Sequence, residues 1–167
     1  PRKPKLGIMI GPSGAGKSTY IRKRYPDAFV VSSDNIRMEQ FCEEEDFVSA
    51  AYSSEGFRQT FGALGSMVKA RLDYGLDVIV DSTNLNPKNR VALLRDVGAD
   101  TGEVYVEYFV IDRPLRDKLD SYSDSWHTNQ DIIRQHHKTF NKYRRDALNG
   151  DGLSFVRVID LIKGENQ

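Results

Sequence analysis

This sequence predicts a doubly wound α/β domain, a parallel sheet with helices on both faces, and three observations point to it. Short, nearly continuous apolar runs recur along the chain, as in strands buried on both sides. Between them lie longer stretches with apolar residues three and four apart, the pattern of amphipathic helices. The connections are short, and no repeat, low-complexity segment or linker interrupts the alternation. With 167 residues, 39% of them apolar, one domain over 1–167 with a substantial core is expected.

The first strand is the run Leu6, Ile8, Met9, Ile10. It feeds Gly11-Pro12-Ser13-Gly14-Ala15-Gly16-Lys17-Ser18-Thr19, which fills every specified position of G-x-x-x-x-G-K-[S/T]. Glycines at these positions let successive backbone N–H groups converge on phosphate oxygens. Lys17 then reaches the β- and γ-phosphates, and the Ser18 hydroxyl is placed for Mg²⁺. Gly11, Ser13, Gly14, Ala15, Gly16, Lys17, Ser18 and Thr19 are therefore the expected ATP-binding residues. The segment with Tyr20, Ile21 and Tyr25 reads as a helix ended by Pro26, its positive N-terminus behind the phosphates.

Ala28 to Val31 reads as a second strand, delivering Ser32-Ser33-Asp34-Asn35-Ile36-Arg37 at its C-terminal end, where open α/β sheets bind ligands. Asp34 and Arg37 are three apart and project from one helical face. Asp34 as the N-cap of a helix starting near Asn35 is the structural alternative. Glu43 to Asp46 reads as a solvated acidic face. From Ser49 to Tyr74, Phe57, Phe61, Leu64, Val68 and Leu72 form the buried stripe of one helix, ended by Gly75. Gly62 and Gly65 inside it cost propensity, which close packing against another backbone or a substrate strand would explain.

Asp77 to Asp81 is the third strand, and Asp81 at its end is placed to hold Mg²⁺. Asn86 caps the next helix with Pro87 in its first position, Val91, Leu94 and Val97 forming the buried stripe and Gly98 the stop. Val104 to Ile111 is the fourth strand, followed by a short helix over Pro114 to Tyr122 and a polar stretch to Gln130. A longer helix from about Asn129 carries Ile132, Ile133, His136, Phe140, Tyr143 and Ala147 on one side, with Arg134, Lys138, Lys142 and Arg145 opposite. His136 and His137 read as structural. Phe155 to Leu161 is the fifth strand.

Formal charge is zero, 24 basic against 24 acidic residues, so no global field favours nucleic acid or an anionic membrane, and any such contact is local. No apolar run has the length of a membrane span, and no membrane partner is expected. Cys42 is the only cysteine, which excludes an internal disulfide and suits a reducing, cytoplasmic setting.

The phosphate-loop stretch, Ser-Ser-Asp-Asn-Ile-Arg at 32–37 and Val-Asp-Ser-Thr-Asn-Leu-Asn-Pro at 80–87, in this order and spacing, resemble the P-loop polynucleotide 5′-kinases of phages and bacterial end-repair systems. The resemblance implies the P-loop kinase fold with strand order 2-3-1-4-5, and transfer of the ATP γ-phosphate to a 5′-hydroxyl of DNA or RNA, in a bacterial host cell if phage-encoded. It implies Asp34 as general base, Arg37 as contact to an acceptor phosphate, Asn84 on the acceptor side, and Lys17, Ser18 and Asp81 in donor and metal roles. One feature departs from the family. Its lid arginines fall at Leu119 and Ser123, leaving Arg113, Arg116 or Arg134 to substitute. That departure brings in phage kinases of 5-hydroxymethyluracil in DNA, for which Tyr122 and Trp126, four apart, would offer a stacking surface to an extruded base. A small-molecule kinase for a nucleoside, sugar or antibiotic, and a non-catalytic nucleotide-binding module, are the other readings. Asp34 argues against the last, since a binding module has no need of a carboxylate facing the γ-phosphate.

Overall fold

The computed structural model describes residues 2–164. Five strands, β1 (Lys5–Ile10), β2 (Val30–Ser32), β3 (Val78–Asp81), β4 (Tyr105–Asp112) and β5 (Val156–Ile162), form one sheet in the order β2-β3-β1-β4-β5, every pair parallel. The expected strand order and the expected α/β class both hold. The helices are α1 (Lys17–Arg24), α2 (Ser33–Phe41), α3 (Phe47–Tyr52), α4 (Ser54–Asp73), α5 (Pro87–Asp96), α6 (Leu115–Ser121) and α7 (Gln130–Leu148), with a 3-10 turn at Gly150–Gly152 before β5.

Alternation along the strands divides the interior into two layers. Leu6, Ile8 and Ile10 of β1, Tyr108 and Val110 of β4, and Leu64, Val68, Leu94 and Phe140 from α4, α5 and α7 pack on one face. Met9, Ile79, Phe109 and Ile111 pack on the other against Ala15 and Ile21, where Tyr20, Tyr25 and Phe109 meet with ring centroids 5.8–6.2 Å apart. Both faces being covered, β1, β3 and β4 are buried along most of their length and read as nearly continuous apolar runs, while the edge strand β5 keeps the exposed Arg157 and Asp160.

The single helix expected over Ser49 to Tyr74 is two. The chain breaks at Ser53, whose hydroxyl accepts from the Gly56 N–H at 3.0 Å and caps α4. Gly56 is needed there, since a Cβ would lie 2.1 Å from the Ala50 carbonyl oxygen. Gly62 and Gly65, by contrast, have open space where a Cβ would sit, so close packing does not explain them. Phe57, expected on the buried stripe, is 46% exposed, because the first turns of α4 pack on α3 rather than on the sheet. Val91 is exposed too, and its expected place in the stripe is taken by Arg90, which is 1% exposed. The Arg90 guanidinium makes a forked pair with Asp151 at 2.7 and 2.9 Å and donates to the carbonyls of Asn84 and Leu85. The Tyr108 hydroxyl completes the cluster, donating to Asp151 at 2.8 Å. Asp46 does more than sit on an acidic face, as its carboxylate accepts from the Ser49 N–H and caps α3.

Candidate active site

The phosphate loop leaves β1 at Ile10 and enters α1 at Lys17, as its sequence requires. Gly11 is held by an N–H to the Thr83 carbonyl, and any Cβ there would meet the Ile111 carbonyl oxygen at 2.3 Å. Gly16 turns the chain into α1 at φ 98°, a conformation only glycine adopts without strain. Lys17 folds back over its own loop, donating to the carbonyls of Gly11 and Pro12 at 3.0 and 2.9 Å. Desolvation lowers its pKa to about 8, against the pull of Asp81, Asp34 and Asp112. Opposite, the Ser18 hydroxyl donates to the Asp81 carboxylate at 2.7 Å.

From α2, Asp34 enters the same space, while Arg37 lines the adjoining cavity. The N-cap of α2 is Ser32, whose hydroxyl accepts from the Asn35 N–H, so Asp34 lies inside the first turn and its carboxylate is not spent on capping. Arg37 donates to it at 3.0 Å, the helical spacing placing both on one face as expected. The guanidinium also lies over the rings of Tyr52 and Phe61, 4.5 and 5.6 Å from their centroids, and its Nε is buried without a hydrogen-bond partner. A cleft of about 390 Å³ brings Lys17, Ser18, Asp34, Asp81 and Ser82 together with His127 of the β4–α7 segment.

That segment closes on the loop differently from the sequence expectation. Of the three candidate arginines only Arg113 reaches the phosphate loop, and it donates to the Gly14 carbonyl and to Ser121 Oγ rather than facing the cleft. Histidines fill the vicinity instead. His127 Nδ1 lies 3.9 Å from Asp34, and Thr128 Oγ1 shares a 2.8 Å hydrogen bond with Ser13 Oγ. His136 Nδ1 accepts from the Ser13 N–H at 3.2 Å, and burial, then Lys17 and Lys118, pull its pKa down to about 4, so it is neutral and accepting at ordinary pH. Beneath the loop, the fully buried Lys118 lies 2.8 Å from Asp112 and 2.9 Å from His137, and burial lowers its pKa. His136 is thus structural in a sense that periodicity did not reach: it sits on the phosphate loop itself.

Tyr122 and Trp126 do not make the paired stacking surface that their spacing offered. Trp126 packs edge-on against Phe47, with centroids 4.9 Å apart, and near Tyr52, tying the segment to α3, while Tyr122 does not line the cleft. Asn84 has φ 48° and gives its amide N–H groups to the carbonyls of Met9 and Ser82, which pins the β3–α5 turn to β1. It lines a second cavity that adjoins the first.

The family model described as an AAA domain matches residues 6–118. The chain belongs to that family. Among solved structures, the Pnkp1/Rnl/Hen1 RNA repair complex contains a chain matched at 20% identity and TM-score 0.69, over 87% of this chain and 47% of that one. A sugar kinase from Janibacter sp. HTCC2649 is matched at 15% identity and TM-score 0.64, over 95% and 85%. The adenylylsulfate (APS) kinase CysC of Mycobacterium tuberculosis, in complex with AMPPNP and APS, is matched at 20% and 0.53, over 99% and 92%. The AAA-domain chain therefore has the fold of P-loop kinases, and it spans less than half the length of the Pnkp1/Rnl/Hen1 polypeptides it matches. No curated protein is matched by its sequence. No helix among the described residues is long and apolar enough to cross a membrane.

Proposed function

We propose that this AAA-domain protein is an ATP-dependent kinase that moves the γ-phosphate to a hydroxyl on nucleic acid, a 5′-hydroxyl end of DNA or RNA being the first candidate. The observation that carries the reading is the Asp34 carboxylate, freed from capping by Ser32, braced by Arg37, and sharing one cleft with Lys17 and the phosphate loop. In the proposed reaction Asp34 takes the proton of the acceptor hydroxyl as its oxygen bonds to the γ-phosphorus, and the bond from that phosphorus to the β-phosphate oxygen breaks to release ADP. Lys17 leaves its own loop carbonyls to neutralise the phosphates, and the loop N–H groups hold them in line. The Ser18 hydroxyl and Asp81 carboxylate are hard oxygen donors side by side, which fits Mg²⁺ completed by phosphate oxygens and water. Bound there, the ion would offset charge on the phosphates.

The likeness to the chain from an RNA repair complex, with the Asp34–Arg37 pair, supports a nucleic-acid acceptor. A small-molecule acceptor is the second reading, favoured by the sugar kinase being matched over nearly the whole of both chains. A hydroxymethyluracil acceptor loses the support of the Tyr122 and Trp126 pair. The deciding experiment is phosphate transfer from γ-labelled ATP to a panel of 5′-hydroxyl DNA and RNA oligonucleotides, hydroxymethyluracil duplex DNA, and free sugars and nucleosides. Label on the oligonucleotide ends is expected. Label confined to the sugars or nucleosides would overturn the nucleic-acid reading.

A further inference from the structure

The second cavity, about 370 Å³, opens beside the first and shares Ser82 and Thr83 with it, so an acceptor whose hydroxyl reaches Asp34 has room to extend into this space. One wall is aromatic: Phe57 and Phe61, ring centroids 4.6 Å apart and planes tilted by 39°, with Phe57 exposed to nearly half its area. Leu85, Ala92 and Leu93 form an aliphatic wall. Polar residues are also present, but Asn84 and Asn86 are spent on backbone groups and Ser82 on the Ser33 hydroxyl, while Asp96 is exposed. The Asn89 side chain lines the cavity and is exposed, so it can exchange water for a ligand, and Arg37, which donates to Asp34 of the first cavity, lines the second with its Nε buried and unpartnered. A polyol or sugar has a hydroxyl on almost every carbon, and each one turned toward the phenyl and aliphatic walls would be left unbonded at a cost of about 1–3 kcal/mol. A flat heteroaromatic ring suits it, with one face on the phenyl rings and its polar edge toward an amide.

Resting on the reading that Asp34 receives the proton of a nucleic-acid hydroxyl, the geometry points to this cavity as the subsite for the acceptor's terminal nucleobase, with Phe57 as its stacking platform and Asn89 as its edge contact. The base enters between α4 and α5, and its own sugar hydroxyl is presented at the Ser82 end. Specificity for a base-bearing acceptor over a bare sugar then lies in residues remote from the phosphate loop.

Phe57→Ala is the test variant, because the side chain is half exposed and its loss leaves both layers of the core intact. Two measurements are paired. In the first, transfer to a 5′-hydroxyl oligonucleotide is compared with transfer to the same oligonucleotide with an abasic terminal residue. Wild type should prefer the base-bearing acceptor, and Phe57→Ala should raise its KM by about tenfold, within the range expected for removing one stacking aromatic, while leaving the abasic KM and the ATP KM unchanged. In the second, an oligonucleotide with terminal 2-aminopurine is titrated onto protein saturated with AMPPNP, and fluorescence reports stacking without turnover. Quenching by wild type and its loss in Phe57→Ala support the subsite even if no oligonucleotide is phosphorylated, in which case the reaction assignment alone falls. Equal use of abasic and base-bearing ends, or quenching that Phe57→Ala does not change, overturns the subsite.

Discussion

ATP affinity should weaken as pH rises through the pKa of Lys17, and the size of the effect follows from its surroundings. In the nucleotide-free loop Lys17 is tied to two carbonyls and desolvated, and titrates at about 8. Phosphate oxygens arriving beside it favour the charged form and raise that pKa, so binding above pH 8 must take up a proton. About nine-tenths of the free protein carries the charge at pH 7 and about one-tenth at pH 9, so the Kd for ATP should rise roughly tenfold over that interval, about 1.4 kcal/mol. Titration calorimetry in two buffers of different ionisation enthalpy, at pH 7, 8 and 9, measures both the affinity and the proton taken up. Lys17→Arg, charged throughout, should bind with whatever affinity its geometry permits but without the pH slope. A flat Kd from pH 7 to 9 in wild type, or the same slope in Lys17→Arg, would refute the argument.

Asp34→Asn should lower kcat by about 10² to 10⁴ with ATP affinity and melting temperature retained, since Ser32 and not Asp34 caps α2; a collapse of the melting temperature would return the residue to a structural role. Asp151→Asn keeps a side chain suited to the positive φ at that position but strands the Arg90 guanidinium, and should cost about 3–5 kcal/mol, or roughly 10 °C or more in Tm by calorimetry. Reversing Lys138 and Lys142 to Glu on the exposed side of α7 should raise the oligonucleotide KM and flatten its salt dependence while sparing the ATP KM, measured between low and moderate salt.

Sequence periodicity located every strand to within about two residues, because a parallel sheet covered on both faces makes its strands largely apolar. The phosphate loop and the Asp34–Arg37 pair were legible for a related reason: their spacing is short and set by one backbone geometry. What stayed hidden depends on contacts between distant residues. Ser53 breaks a helix that reads as continuous from Ser49, and only the Ser53 hydroxyl on Gly56 reveals the cap. Arg90 falls at a buried position that no hydropathy pattern assigns to arginine, because its partner Asp151 lies 61 residues away. His136 reads as an apolar-face residue until tertiary packing brings its ring onto the Ser13 N–H, and His127 carries no local signal. The family's arginine spacing points to Leu119 and Ser123, whereas the chain places Arg113 on the Gly14 carbonyl and a histidine in the cleft.

The Arg90–Asp151 pair also bears on where this protein can be cut. The AAA-domain match ends at residue 118, which invites use of that stretch as a minimal unit. Yet the turn after β3, carrying Asn84 and the shared rim of both cavities, is fastened through Arg90 to an aspartate beyond α7. Shortening the chain before Asp151 would leave the phosphate loop sequence whole while unmooring the turn after β3 that rims the cleft. The turn before the last strand thus holds the rim of the cleft from a distance, as its anchor post.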